Sequence, residues 1–408
     1  MPHLQVIPAE PADFPSLARI QRAAFAPTAI QRTIFGGVSE DAHVAHSVSR
    51  MAKVVAHPHK ALFKAVLSRE GEDHAIVGMA IWELPKPEGT PDEPAQPREW
   101  PEGTNVELAA GFFGRLGELA PKEPHYHLSV LVVDPSYQRT GAGKALLSWG
   151  CKKADEEGLL VHLEATDLGL PLYRRYGFEE YREPFTGGKN GALELYPMIR
   201  KPLSLAPCTL SDVPSLAPVY HAAFGPTRVN RYCFPNVTAE AMDAWLCPRF
   251  SNILKRRDEQ GERTEILLAK RGDAVLGFAL SAFSPAFDGT AQEQTKRTFP
   301  EGAELDRAQA FMAKLDAHKA AIKEAHWSLD ILAVLPEAQG QGVGKALVLR
   351  VLERAKEDGI PASLESTEFG IALYEKLGFA RSAAPLFADD LPEVEQLWPM
   401  VYELPEQP

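Results

Sequence analysis

The segment Gln138-Arg139-Thr140-Gly141-Ala142-Gly143-Lys144 is written a second time, as Gln339-Gly340-Gln341-Gly342-Val343-Gly344-Lys345. Each copy follows an apolar run ending in Asp-Pro or Leu-Pro, and each opens a helix-like stretch. Each is followed downstream by Leu-Tyr-x-x-x-Gly-Phe, at Leu172 to Phe178 and again at Leu373 to Phe379. A glycine-rich turn between a strand and a helix aims several backbone N–H groups at one point, where a phosphate can sit. Its repetition in the same surroundings makes the chain a duplicated anion-binding module.

The duplication reaches well beyond that turn. Ala23-Ala24-Phe25-Ala26-Pro27-Thr28 recurs as Ala222-Ala223-Phe224-Gly225-Pro226-Thr227, Pro101-Glu102-Gly103 as Pro300-Glu301-Gly302, and Tyr196-Pro197-Met198 as Trp398-Pro399-Met400. The spacing between copies hardly drifts, which marks duplication of a whole domain rather than a short solenoid repeat. A chain of 408 residues also exceeds one ordinary core and fits two. The boundary is expected near Lys201-Pro202, giving domains 1–201 and 202–408.

Both copies read in one order. An amphipathic helix, Ser16 to Phe25 or Ser215 to Phe224, has Asp-x-Pro upstream as a start signal. Two strands follow: Ala61–Ser68 with Ala75–Trp82, and Thr264–Lys270 with Ala274–Ser281. The insertion Pro85 to Pro101 reads as a surface loop, whereas Gly302 to Lys323 reads as a helix with Leu305, Ala308, Phe311, Met312 and Leu315 on one face. The strand Leu128–Val133, or Leu329–Val334, leads into the glycine-rich turn. The helix after it stops at Gly158 or Gly359. A strand, Leu159–Ala165 or Ala362–Ser366, then precedes a short helix carrying the tyrosine. This pattern predicts an α/β fold, an α+β mixed sheet in each half.

The formal charge of -12 argues against a nucleic-acid partner, because phosphate-backbone binding needs a basic surface. Cys151, Cys208, Cys233 and Cys247 show neither C-x-x-C nor zinc spacing, so reduced thiols and no metal are expected. The N-terminus lacks the basic and apolar regions of a secretory signal, and no run approaches the length of a membrane span. A cytoplasmic protein with no membrane partner, monomer or homodimer, is the expectation.

Two familiar phosphate turns do not fit. A Walker A loop needs G-x-x-x-x-G-K-[ST], but Gln138 or Gln339 stands at its first glycine and Ala145 or Ala346 follows the lysine. A dinucleotide fingerprint needs a third glycine where Leu146 or Leu347 stands. The remaining pattern, Q-x-x-G-x-G after a strand and x-Pro, resembles motif A of the GNAT acyltransferase superfamily. The two Leu-Tyr-x-x-x-Gly-Phe segments are similar to that family's closing helix-to-strand motif. The resemblance covers nearly the whole chain, twice, and implies two tandem GNAT-like domains.

The resemblance implies an acyl-CoA ligand, most simply acetyl-CoA. Its pyrophosphate would lie on the amides of Gln138, Arg139, Thr140, Gly141, Ala142, Gly143 and Lys144, and again on those of Gln339, Gly340, Gln341, Gly342, Val343, Gly344 and Lys345. Glycine lets the backbone approach, and the helix N-terminus adds partial positive charge. In the family the preceding strand parts from its neighbour and its backbone pairs with the pantetheine arm. The matching positions are Leu131, Val132 and Val133, and Leu332, Ala333 and Val334, whose side chains are simply core.

Acyl transfer to an amine needs two proton movements. An amine of pKa ~10.4 must lose a proton before it can attack. A thiolate whose conjugate thiol has pKa ~8.5 leaves more easily if it gains one. The family places a tyrosine hydroxyl near the sulfur, which makes Tyr173 and Tyr374 the acid candidates. Base candidates lie on two strands. Alternation puts His127, Ser129, Leu131 and Val133 on one face, and Ser328, Asp330, Leu332 and Val334 on the equivalent face of copy two. Copy two thus offers Asp330 where copy one offers His127. The next strand supplies Glu164 and Glu365.

Copy two keeps Asp330, Glu365 and Tyr374 together and is the favoured catalyst. The acceptor is expected to be a small-molecule amine, reached by direct transfer in a ternary complex. A CoA-binding scaffold, a protein N-acetyltransferase and other thioester chemistry stand as alternatives.

Overall fold

The computed structural model describes residues 3–68, 74–86, 98–188, 191, 193–286, 297–387 and 396–404. The chain divides into two compact units, Met1–Pro202 and Leu203–Pro408.

In the first unit the strands are β1 (His3–Pro8), β2 (Lys60–Ser68), β3 (Ala75–Glu83), β4 (His125–Val133), β5 (Leu160–Ala165), β6 (Glu179–Glu180), β7 (Phe185–Gly187) and β8 (Leu193–Arg200). They form one sheet in the order β1-β2-β3-β4-β5-β8-β6, with β7 against β8. The helices are α1 (Phe14–Phe25), α2 (Ala29–Ile34), α3 (Glu40–Val55), α4 (Val106–Gly114), α5 (Ala142–Glu157) and α6 (Leu170–Arg175).

The second unit repeats the plan. Its strands β9 (Leu203–Pro207), β10 (Thr264–Arg271), β11 (Ala274–Ser284), β12 (His326–Val334), β13 (Ala362–Thr367), β14 (Ala380–Arg381) and β15 (Leu397–Tyr402) run in the order β14-β15-β13-β12-β11-β10-β9. Its helices are α7 (Val213–Phe224), α8 (Arg228–Cys233), α9 (Ala239–Gln260), α10 (Leu305–Ala321), α11 (Val343–Asp358) and α12 (Glu368–Lys376).

Local signals explain most boundaries. Ser39 caps α3 by accepting from the Ala42 amide, and Thr238 caps α9 by accepting from that of Ala241. Gly158 and Gly359 end α5 and α11 in the left-handed conformation, each at φ 68°. Helix α4 was not expected; its signal was Asn105, which caps it through the Leu108 amide. In α10, Ala308 and Phe311 are buried as anticipated, but Leu305 lies in the first turn and is 54% exposed. Of the expected loop Pro85 to Pro101, residues 87–97 lie outside the described residues.

Each sheet is sandwiched between a helical pair and a single long helix. In unit one Leu17, Met51, Val130 and Val132 form the core under α1 and α3, while Leu128, Leu146, Leu147 and Val161 form the core under α5. Unit two divides likewise, with Leu216, Phe250 and Ala333 on one side and Leu329, Leu347 and Leu364 on the other. Among the described residues no helix is long and apolar enough to cross a membrane.

Candidate active sites

Both sheets carry the same defect. In unit one, Ile81 pairs with Val130 but Trp82 pairs with Leu128, so Ser129 is the extra residue of a β-bulge. In unit two, Leu280 pairs with Ile331 but Ser281 pairs with Leu329, which leaves Asp330 as the extra residue. The bulge corrects the simple alternation expected for this strand. One added residue reverses parity, so Leu128 joins Leu131 and Val133 under α5, and His127 points the other way. Ser328 is turned in the same manner, since Trp327 and Leu329 pack beside Leu332 and Val334.

A second irregularity follows at once. Strands β4 and β5 run parallel but pair only from His125 with Leu160 to His127 with His162. Strands β12 and β13 pair only from Trp327 with Ala362 to Leu329 with Leu364. Beyond these points the neighbours part, and the edge of Leu131–Val133 or Leu332–Val334 that faces the gap makes no ladder there. The other edge stays paired, as Val132 with Met79 and Ala333 with Phe278 illustrate.

At the end of each parted strand lies the glycine-rich turn. Arg139 and Gly141 have φ of 65° and 94°; Gly340 and Gly342 have 74° and 92°. The two turns therefore share one backbone path, although only copy two has glycine at both positions. A Cβ placed on Gly141 or Gly342 would meet no heavy atom within 4 Å. These glycines are needed for their backbone angle and the open space before them, not for close packing. Lys144 and Lys345 are exposed in the first turns of α5 and α11. Gln341 is spoken for: its side chain donates to the Glu337 carbonyl at 2.7 Å and accepts from Arg271 at 3.2 Å.

Tyr173 and Tyr374 are nearly buried, 9% and 8% exposed, with their rings edge-on to Phe178 and Phe379 at 5.7 Å. A Cβ on Gly169 or Gly370, one helical turn earlier, would come within 2.6 or 2.8 Å of the respective ring. Burial raises both hydroxyls well above the ordinary tyrosine value. Both stay protonated at neutral pH, as a proton donor must.

The acid–base groups differ sharply between units. In unit one the His127 ring contacts Glu164 at 3.0 Å and lies 3.8 Å from Glu83. Burial works against its charge, but hydrogen bonds to Glu164 and Glu83 win and lift its pKa to about 9. The His127 bond, followed by Lys60, holds Glu83 near 2. Burial pushes Glu164 up, yet His127 pulls it below the usual range. These carboxylates favour the imidazolium form of His127 at neutral pH, in which the ring has no lone pair for a substrate proton.

His162, fully buried and stacked on His127 at 5.2 Å, is driven by burial to about 3 and stays neutral. His127, His162 and Glu164 bring ligand atoms within 4.8 Å of one another, but the proton on His127 already joins two of them.

The sign of the linkage is definite. A pKa raised from 6.5 to about 9 gives stability that is complete below 6.5 and is lost as pH rises through 9. Denaturant unfolding of the wild type should lose roughly 1–3 kcal/mol more than His127→Gln between pH 6 and 9.5. Identical losses would show that the clamp contributes nothing.

Unit two has no such clamp. Asp330 accepts from Ser328 at 2.6 Å and from Lys319, and so is itself engaged. Glu365, whose side chain is 7% exposed, lies 3.6 Å from His318 and 4.0 Å from Lys319. Burial raises its pKa despite Lys319. Burial, then Lys319, lowers His318, so that ring is neutral. Sequence reasoning missed Glu83, His162, His318 and Lys319. The motif around Glu164 contained His162, but nothing in it showed that β4 and β5 would pair His127 with His162.

Parted central strands, a left-handed glycine turn at a helix N-terminus and a buried tyrosine define an acyltransferase-type fold, built twice. The chain belongs to the acetyltransferase (GNAT) family: residues 233–379 match the Acetyltransferase (GNAT) family and residues 106–180 the Acetyltransferase (GNAT) domain. A glucosamine 6-phosphate N-acetyltransferase of Trypanosoma brucei brucei is 38% identical over 56 residues, which are 14% of this chain and 38% of that protein. The chain therefore spans well under half the length of that curated relative.

Two solved structures are similar to one half of the chain. A histone acetyltransferase HPA2 and related acetyltransferase of Corynebacterium glutamicum shares 24% identity over 49% of this chain and 96% of its own, with a TM-score of 0.32. A PaiA N-acetyltransferase of Thermoplasma acidophilum, in complex with coenzyme A, shares 15% over 50% and 99%, also with a TM-score of 0.32.

Proposed function

We propose that the protein is an acyl-CoA-dependent N-acyltransferase that moves an acetyl group from acetyl-CoA to a primary amine of a small molecule. The observation that carries this reading is the duplicated pairing of a parted strand with an open left-handed glycine turn. The strand edge offers main-chain donors and acceptors to an extended amide-bearing arm. The turn offers amides and a helix N-terminus to a pyrophosphate. In unit one Gln138 to Lys144 and Leu131 to Val133 would hold the cofactor; in unit two Gln339 to Lys345 and Leu332 to Val334.

The C-terminal unit is assigned the chemistry. Acyl-CoA supplies an activated thioester. Glu365, ionised but raised toward neutrality by burial, takes a proton from the acceptor ammonium. As the C–N bond forms and the C–S bond breaks, Tyr374 gives its phenolic proton to the departing sulfur and regains one, by way of solvent, from the cationic nitrogen that becomes the amide. Asp330 and Lys319 sit beside Glu365 and bias its charge. In the N-terminal unit His127 locks Glu164, so that half is read as binding acyl-CoA without turnover. The low pKa of Glu164 favours that second role there.

Tyr374→Phe should lower kcat roughly 100-fold while CoA affinity holds, and Tyr173→Phe should change kcat less than about 2-fold. Free-thiol release from acetyl-CoA over a panel of small amines measures both. Full activity in Tyr374→Phe with loss in Tyr173→Phe would move the chemistry to the N-terminal unit. CoA binding without turnover of any amine would favour a binding protein.

A further inference from the structure

One pair of cations is duplicated along with the fold. Arg50 on α3 and Arg249 on α9 hold the same place, each just ahead of a buried apolar residue, Met51 or Phe250. Arg98 and Arg297 likewise stand just before Trp100-Pro101-Glu102-Gly103 and Phe299-Pro300-Glu301-Gly302. Both Arg50 and Arg249 have exposed side chains; among the described residues neither makes a hydrogen bond or a salt bridge, and Arg249 lies over the Trp245 ring at 5.3 Å. In a protein of net charge -12, a guanidinium without a salt bridge recurs at the same place in both copies.

Arg50 lines a cavity of about 180 Å³ that reaches the Ser129 bulge. Lys53 and Lys60 also line it, but Lys53 is joined to Glu99 at 2.8 Å and Lys60 to Glu83 at 3.1 Å. Glu83 is on the wall as well; it makes no salt bridge with Arg50 but favours its charge, so the cavity carries a guanidinium and a carboxylate together. Desolvation and then the charge of Arg98 work against the charge on Arg50, exposed though its side chain is, whereas Glu83 favours it; desolvation and then Arg297 work against Arg249. Asp330, the bulge residue of unit two, is close enough to act on Arg249 in the opposite sense. A guanidinium crowded by a like charge gains from a planar or tetrahedral oxyanion, which accepts two parallel N–H bonds.

We propose that Arg50 and Arg249 each receive the anionic group, phosphate or carboxylate, of a small amine bound beside the bulge of its own unit. That the ligand is an amine rests on the acyl-transfer reading; that it is an anion rests on the arginines alone. The small cavity suits a compact molecule.

Calorimetry on the full chain with two matched pairs tests this: phosphoethanolamine against ethanolamine, and β-alanine against propylamine. The anionic member should bind roughly 10–100-fold more tightly in at least one pair, and which pair shows it names the anion. Arg50→Gln with Arg249→Gln should erase the preference. The only close contact the double variant loses among those named above is that of Arg249 with the Trp245 ring, and both side chains are exposed, so it should unfold close to the wild-type temperature. Should it unfold early, inorganic phosphate added to the wild type provides the test, displacing the anionic member and leaving the neutral one bound.

Equal binding within both pairs, or a preference that survives the double substitution, overturns the proposal. Thiol release measured in parallel keeps the two readings apart. A clear preference with no acyl transfer overturns only the transfer reading. Transfer to neutral and anionic amines with equal kcat/KM overturns only the arginine proposal.

Discussion

Glu365→Gln is expected to lower kcat by roughly 100–1000-fold with little change in acyl-CoA affinity. The amide keeps the size and position of a side chain that is 7% exposed, but it cannot take the ammonium proton. The pH dependence carries the sign. Burial raises the Glu365 carboxyl, so the acid limb of kcat/KM should lie above the ordinary glutamate range, the rate falling as pH falls through it.

A raised carboxyl also gives stability that is present below its unfolded value and lost as pH rises through the folded one. At neutral pH the buried charge is a burden, so Glu365→Gln should unfold no earlier than the wild type. Loss of rate without loss of stability separates a chemical role from a structural one. Glu164→Gln makes the contrast: its amide oxygen can still accept from His127 but carries no charge to match the imidazolium, so it should destabilise the N-terminal unit while sparing kcat. A fully active Glu365→Gln would remove Glu365 from the mechanism.

Gly342→Val is expected to weaken CoA binding in the C-terminal unit by roughly 100-fold and abolish turnover. At φ 92° a β-branched side chain is strained, and the strain falls on the turn whose amides would face the pyrophosphate. Its Cβ would project into space free of protein atoms within 4 Å, so no repacking of the core is involved. Gly141→Val, at φ 94°, should act in the same way on the N-terminal unit. Titration with CoA should give two sites per wild-type chain and one in each variant. Two intact sites in Gly342→Val would show that the turn is not the cradle.

The repeated motifs foretold the doubled unit and most of its element order, because duplication, glycine at helix ends and strand periodicity are all local features. What they could not show was the consequence of one inserted residue. Alternation along His127, Ser129, Leu131 and Val133 assumes an unbroken strand, and the bulge at Ser129 depends on how β3 and β4 pair. The charge states were hidden for the same reason. Nothing local places Glu83 beside His127, or Lys319 of α10 beside Asp330 and Glu365. Arg50 and Arg249 were open to discovery, since they lie in the repeat register, but they belong to no motif that names a chemistry.

The parting of β4 from β5, and of β12 from β13, also bears on how the empty protein behaves in solution. Sheets are usually vulnerable at their outer strands, which native proteins shorten, charge or cover. Here a frayed rim lies in the middle of each sheet, along the apolar runs Val130-Leu131-Val132-Val133 and Ile331-Leu332-Ala333-Val334. An extended ligand seated there is a missing strand as much as a reactant, and at a hundred times its Kd it adds about 2.7 kcal/mol to the folded state. Scarcity of that ligand would then shorten the working life of the chain as well as slow it, with solubility following the fraction of clefts that are filled.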